Sequence, residues 1–124
     1  AVGVLDALRF PSFTAGPRWA ANHGDPADPE AFAWLYAFSP LHRIEDGTCY
    51  PATLVAAAAN DDLVHPSQSY KFAARLQAAQ GCDRLALLRV YPTGGHTLLD
   101  SDLEAQADIL AFAAHHTGLA VPTR

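Results

Sequence analysis

The chain has 124 residues and no methionine, not even at position 1. It opens on Ala1-Val2-Gly3-Val4-Leu5, like a strand already under way, so the expectation is part of a longer polypeptide. No apolar run reaches the roughly 18 residues a spanning helix needs, and no membrane partner is expected. A basic n-region and a long apolar h-region are both missing, which argues against a signal peptide. Basic residues are few and scattered: 8 Lys and Arg stand against 13 Asp and Glu, for a net charge of -5. Without a basic stripe, no nucleic-acid partner is expected.

Cysteine is scarce as well. Cys49 and Cys82 lie in different elements and neither has a CxxC partner. The expectation is two reduced or structural thiols, with a disulfide between them as the open alternative. The six histidines show no HxxxH or His/Cys spacing, so neither a metal nor any other cofactor is expected. His115 and His116 are adjacent and face different directions on a helix. No Gly-Lys-Ser/Thr follows Gly94-Gly95, so that pair is not a phosphate loop. A Gly-x-Ser-x-Gly elbow is also absent, because Ser12, Ser39, Ser67, Ser69 and Ser101 all lack the glycine-flanked setting.

What is present is a folding composition, 50% hydrophobic and 17% charged. Val2–Leu5 suits a short buried strand. Between Arg9 and Asp28, Pro11, Gly16, Pro17, Gly24 and Pro26 predict a loop, pinned by Phe10, Phe13 and Trp19. Asp28 and Pro29 fit the N-cap and first position of a helix that stops before Pro40, with Trp34 in the core. Ala52–Ala59 is a nearly continuous apolar run, predicted as a buried parallel strand. A helix follows from about Pro66 or Ser67 to Gln80, with Phe72, Ala73, Leu76 and Ala79 inward and Gly81 as its stop. Leu85–Tyr91 is predicted as a strand. The last helix should start near Ser101 and end near His116, with Leu103, Ala107, Leu110, Ala111 and Ala114 on its apolar face. Strands alternating with helices mark an α/β architecture with a largely parallel sheet.

Sites in such a sheet gather at the carboxyl ends of its strands. Asn60-Asp61-Asp62 and Gly94-Gly95-His96 occupy two such ends, with Asp61 and His96 35 positions apart. Acid then histidine is the order of the later part of a hydrolase triad. A carboxylate fixes the imidazole tautomer, and the other ring nitrogen moves the proton. On these residues alone Asp61 is equally a turn or cap residue, and Asp62 is a rival acid.

A longer pattern bears on the choice. Tyr50-Pro51-Ala52-Thr53-Leu54, then Asn60 through Phe72, resembles the prolyl oligopeptidase family of serine peptidases, in the segment that carries its catalytic aspartate. Val2–Asp6, Ala37–His42 and Gly95-His96 resemble further segments of that family, in order and at similar spacing. The resemblance implies the C-terminal half of an α/β-hydrolase domain over residues 1–124, with the nucleophile elbow and a β-propeller outside this chain. It places Asp61 on the triad acid and His96 on the base. It places Trp19 on the tryptophan that stacks on substrate proline, and Val4 and Val64 on apolar walls of that pocket. His23 falls where the family usually has a pocket-lining tyrosine, Leu63 where it has a substrate-binding arginine, and Asn60 where it usually has a histidine.

The implied activity is cleavage on the carboxyl side of proline in short peptides, by a serine outside the chain. The implied partners are short proline-containing peptides and the remainder of the same peptidase. A related acylaminoacyl or dipeptidyl peptidase, or an esterase, is the alternative within hydrolases. An inactive truncated module that only binds a partner is the alternative outside them. Members of this kind are often cytosolic, so the cytoplasm is the expected compartment, with periplasmic or secreted relatives the other possibility.

Overall fold

The structure, a computed structural model, describes residues 3–97 and 102–119. Its centre is a β–α–β unit. Strand β1 (Thr53–Ala58) pairs in parallel with β2 (Ala86–Tyr91), from Thr53 opposite Ala86 to Ala58 opposite Tyr91. Helix α3 (Ser67–Ala79) makes the crossover. Side chains alternate across a sheet, so Ala86, Leu88 and Val90 face one side while Leu87, Arg89 and Tyr91 face the other. On the first side Leu76 and Ala79 of α3 pack with Ile44, and Phe72, Tyr50 and Ala86 close around them. On the second, Ala56 and Tyr91 pack against Ala105 and Ile109 of helix α4 (Leu103–Thr117). Arg89 also reaches Glu104 (2.7 Å) and Asp108 (2.9 Å), tying α4 to β2. The sheet thus lies between two helical layers, as expected.

Several expectations hold. Helix α2 (Pro29–Phe38) starts at Asp28, whose carboxylate accepts the N–H groups of Glu30 and Ala31, and it ends before Pro40. The inward set of α3 holds, with Ala73, Leu76 and Ala79 buried and Phe72 half-buried. Others are corrected. The stretch predicted as a loop contains a 3-10 turn (Phe10–Ser12) and helix α1 (Gly16–His23). Both carry proline in the first turn, where its missing N–H costs nothing and its fixed φ favours the helix. Trp34 is not core: it is 46% exposed, with its indole N–H donating to the His23 carbonyl (3.2 Å). Of the apolar face assigned to the last helix only Ala114 is buried: Leu103 and Leu110 are 81% and 67% exposed, Ala107 and Ala111 are exposed too, and the contact with the sheet is made by Ala105. That helix is apolar on more than one side, so periodicity could not choose a face. Its expected start at Ser101 lies outside the described residues, as do Val2 and the tail beyond Leu119.

Gly3–Asp6 is not a strand. The Leu5 and Asp6 N–H groups go to the Gln68 side chain rather than to a neighbouring strand, while the Leu5 carbonyl accepts from Leu41 N–H (2.8 Å). The cysteines are not thiols: Cys49 and Cys82 form a disulfide with S–S 2.04 Å. It joins the segments entering β1 and β2, at the opposite ends of the strands from Asp61 and His96.

Asp6 is fully buried and pairs with Lys71 and Arg9. Burial alone would raise its carboxyl, but the Lys71 hydrogen bond and charge, with the Arg9 N–H and guanidinium, hold it below the ordinary 3.8. A depressed carboxylate stabilises the fold above its unfolded value and loses that contribution as pH falls through the folded one. Asp6→Asn in the full-length protein should therefore be less stable than wild type near neutral pH, with the gap closing as the pH falls below 3.8. Urea midpoints across that range measure this; a constant gap would count against it.

Candidate active site

Two loops at the carboxyl end of the sheet meet. After β1 the chain turns through Asn60 to Asp61, and after β2 it turns at Gly94, whose φ of 84° is a conformation glycine adopts without penalty, to reach His96. The Asn60 amide donates to the Pro92 carbonyl (3.2 Å) and bridges the loops. His96 Nδ1 lies 3.1 Å from Asp61 Oδ1 and 3.0 Å from Oδ2. Asp61 is 4% exposed, and its Oδ1 also accepts the N–H groups of Leu63 (2.9 Å) and Val64 (2.8 Å). Such a carboxylate is held in one orientation by the turn it closes. The His96 side chain keeps 30% of its surface. A buried acid orienting a partly open imidazole through Nδ1 directs Nε2 outward as a proton acceptor. Asp62, the rival acid, is exposed.

A second feature lies alongside. Val4, Ala7, Phe10, Trp19, His23 and Leu35 are among the residues lining a cavity of about 360 Å³. Trp19 packs on Phe10 with ring centroids 5.1 Å apart, and His23 Nδ1 sits 3.1 Å from the Trp19 carbonyl oxygen. The lining is largely aromatic and aliphatic, which suits a compact apolar ring.

The turn leading into α1 is tied to the acid loop. Thr14 has φ 44°, an uncommon conformation for a β-branched residue. Its hydroxyl donates to the Leu63 carbonyl (2.8 Å), and Phe13 stacks on His65 at 4.8 Å. The helix bearing Trp19 is therefore registered against the loop bearing Asp61.

The family model described as the prolyl oligopeptidase family matches residues 1–120. The chain belongs to the prolyl oligopeptidase family. A prolyl endopeptidase of Elizabethkingia miricola is 43% identical over 122 residues, covering 95% of this chain and 17% of its own length. A prolyl oligopeptidase A of Amanita bisporigera is 43% identical over 123 residues, covering 96% of this chain and 16% of its own. Among solved structures, prolyl oligopeptidase B of Galerina marginata, bound to a 35mer hydrolysis and macrocyclization substrate, superposes with a TM-score of 0.85 at 33% identity. It covers 97% of this chain and 17% of that one. A prolyl endopeptidase superposes with a TM-score of 0.87 at 32% identity, covering 94% and 18%. The chain thus spans about a sixth of the length of the curated relatives it matches. The α/β-hydrolase fold class expected from the sequence stands.

Within this chain, Asp61 meets His96, and Val4, Trp19 and His23 share one cavity. Val64 is not among that cavity's lining; its side chain is buried and its N–H closes the Asp61 turn. Leu63 is half-exposed and offers its backbone to both Asp61 and Thr14. Sequence reasoning missed the Thr14 and Phe13 contacts and the part of Gln68. The family pattern assigned these residues no role, and a buried glutamine in a helix has the same sequence signature as an exposed one. Among the described residues no group of His, Cys, Asp and Glu could hold a metal ion. No helix among them is long and apolar enough to cross a membrane.

Proposed function

We propose that this chain is the C-terminal portion of the catalytic domain of a serine-type endopeptidase that hydrolyses short peptides on the carboxyl side of proline. The observation that carries the reading is the contact of His96 Nδ1 with both oxygens of a buried Asp61. In the mechanism, a serine supplied by the remainder of the peptidase attacks the carbonyl carbon of the proline residue. His96 Nε2 takes the hydroxyl proton and then returns it to the leaving amine. Asp61 holds the tautomer and stabilises the imidazolium. Water repeats the sequence on the acyl-enzyme. Trp19 would present its indole face to the proline ring, with Val4 and His23 as walls of the same pocket and Val64 contributing through the Asp61 loop. No cofactor enters the chemistry.

A second reading, transfer of the acyl group to a peptide amine instead of water, is supported by the macrocyclization substrate on the Galerina relative. Both outcomes share the acyl-enzyme and differ only in what accepts it. As to compartment, disulfides persist mainly in oxidising surroundings. Cys49–Cys82 therefore supports export over the cytoplasm.

The test uses the full-length protein with N-blocked Gly-Pro and Gly-Ala reporter peptides. Wild type should cleave the first with clear preference. Trp19→Ala should lower kcat/KM for the Gly-Pro reporter by about 100-fold and for Gly-Ala far less, since it removes most of an aromatic wall from a shape-selective pocket. A well-folded parent that ignores the Gly-Pro reporter would sink prolyl specificity, and Leu63 and His23 would be the first residues to question.

A further inference from the structure

The pocket wall at Val4 rests on a segment with no sheet partner among the described residues, and one side chain does much of the holding. Gln68 is 1% exposed, the largest of the fully buried side chains. Its Oε1 accepts the Leu5 N–H (3.0 Å) and the Asp6 N–H (2.6 Å), while its Nε2 donates to the Asp6 carbonyl (3.3 Å). One amide thereby pairs three backbone groups of the two residues that follow Val4. Buried N–H and C=O groups left without partners are costly, so this bonding fixes where the segment lies.

Gln68 also stands in the first turn of α3, which starts three residues after the Asp61 turn closes at Val64. His65 anchors that start: its carbonyl accepts Gln68 N–H (3.0 Å) and its Nδ1 accepts Ser67 N–H (3.2 Å). Asp61 loop, α3 start, Gln68 and Val4 segment therefore form one short chain of contacts. Lys71, one turn further, reaches Asp6 and keeps the same register.

We propose that Gln68 is a positioning residue for proline selection: it sets the Val4 wall of the pocket at a fixed place relative to the Asp61–Val64 loop. The proposal rests on the prolyl endopeptidase reading above. Shortening the side chain should draw the wall out of register with the acid loop, loosening the pocket while leaving Asp61 and His96 in contact. The loss should therefore fall on KM for proline substrates and not on kcat.

The experiment compares full-length wild type, Gln68→Asn and Gln68→Glu on the Gly-Pro and Gly-Ala reporters, with folding checked by circular dichroism. Gln68→Asn keeps both polar groups on a stem one methylene shorter. It should lower the Pro-over-Ala ratio of kcat/KM about tenfold, through KM, the scale of a one-methylene mismatch in a pocket. Gln68→Glu keeps the reach and the acceptor for both N–H groups; buried and facing the Asp6 carbonyl, its carboxyl should hold its proton and donate it there, keeping the ratio within about threefold of wild type. A wild-type ratio in folded Gln68→Asn would overturn the proposal, as would equal loss on both reporters through kcat. Should Gln68→Asn fail to fold, Gln68→Glu decides: a retained ratio supports positioning by the acceptor, and a collapsed one overturns it. If wild type itself shows no proline preference, the endopeptidase reading fails and takes this proposal with it, whereas a preference that survives Gln68→Asn removes only the role of Gln68.

Discussion

Asp61→Asn in the full-length protein should lower kcat by about 10⁴-fold with little change in KM. An asparagine fits the same turn, and its Oδ1 can still accept the Leu63 and Val64 N–H groups that Asp61 accepts at 2.9 and 2.8 Å. What then faces His96 is an amide N–H. His96 Nδ1 must become the acceptor, so the proton moves to Nε2 and the ring can no longer take a proton from the nucleophile. The imidazolium formed at the transition state also loses its counter-charge. The fold should be unaltered, because the backbone bonds survive, and circular dichroism should show this. His96→Ala should cost at least as much, and the double variant little more than either alone, since residues acting as one unit are not additive. Asp62→Asn is the control: its exposed carboxylate should be replaceable with a change of no more than about threefold. If Asp61→Asn kept a tenth of wild-type activity while Asp62→Asn lost it, the acid would be reassigned.

The pair was legible in the sequence for a topological reason. An apolar run followed by Asn60-Asp61-Asp62, and a second followed by Gly94-Gly95-His96, put both groups at the carboxyl ends of parallel strands. Neighbouring parallel strands bring those ends together. Asp28-Pro29 announced α2 through local chemistry alone. What failed was whatever depended on distant packing. Gly16-Pro17 reads as loop punctuation, though it opens α1. Leu103 and Leu110 read as the apolar face of the last helix, though the sheet takes Ala105. Cys49 and Cys82 are 33 residues apart, and only the parallel pairing of the strands that follow them brings their Cα atoms to 5.1 Å. Gln68 and Asp6, polar and yet buried, find their partners 62 to 65 residues away.

The largest effect on stability should come from Gly81→Ala, at the end of the sheet remote from Asp61. Gly81 reads as the stop of α3 through glycine's conformational freedom, but its φ is not among the positive values that demand glycine. A Cβ on Gly81 would sit 2.0 Å from the Gly47 carbonyl oxygen and 2.4 Å from its carbonyl carbon. Both are backbone atoms, and little around them can yield. Gly47 N–H donates to the Ala79 carbonyl (2.8 Å) and Gly81 N–H to the Thr48 carbonyl (2.9 Å). The Gln80 side chain clamps Tyr50 N–H (2.8 Å) and the Tyr50 carbonyl (3.2 Å), and the disulfide closes the next residue pair. Inserting one methyl must break several of these together, at a cost of about 3 kcal/mol or more. Gly47→Ala is the counterpart: its φ of 77° penalises alanine, but nothing lies within 4 Å of the added methyl. Its cost should stay near the 1–2 kcal/mol of a left-handed residue, about half as large. Thermal unfolding of the full-length proteins under oxidising conditions should order them wild type, Gly47→Ala, Gly81→Ala. Reducing the disulfide should narrow the gap for Gly81→Ala by letting the two segments part. A Gly81→Ala protein that melts with wild type would mean that the contact between these loops is not maintained.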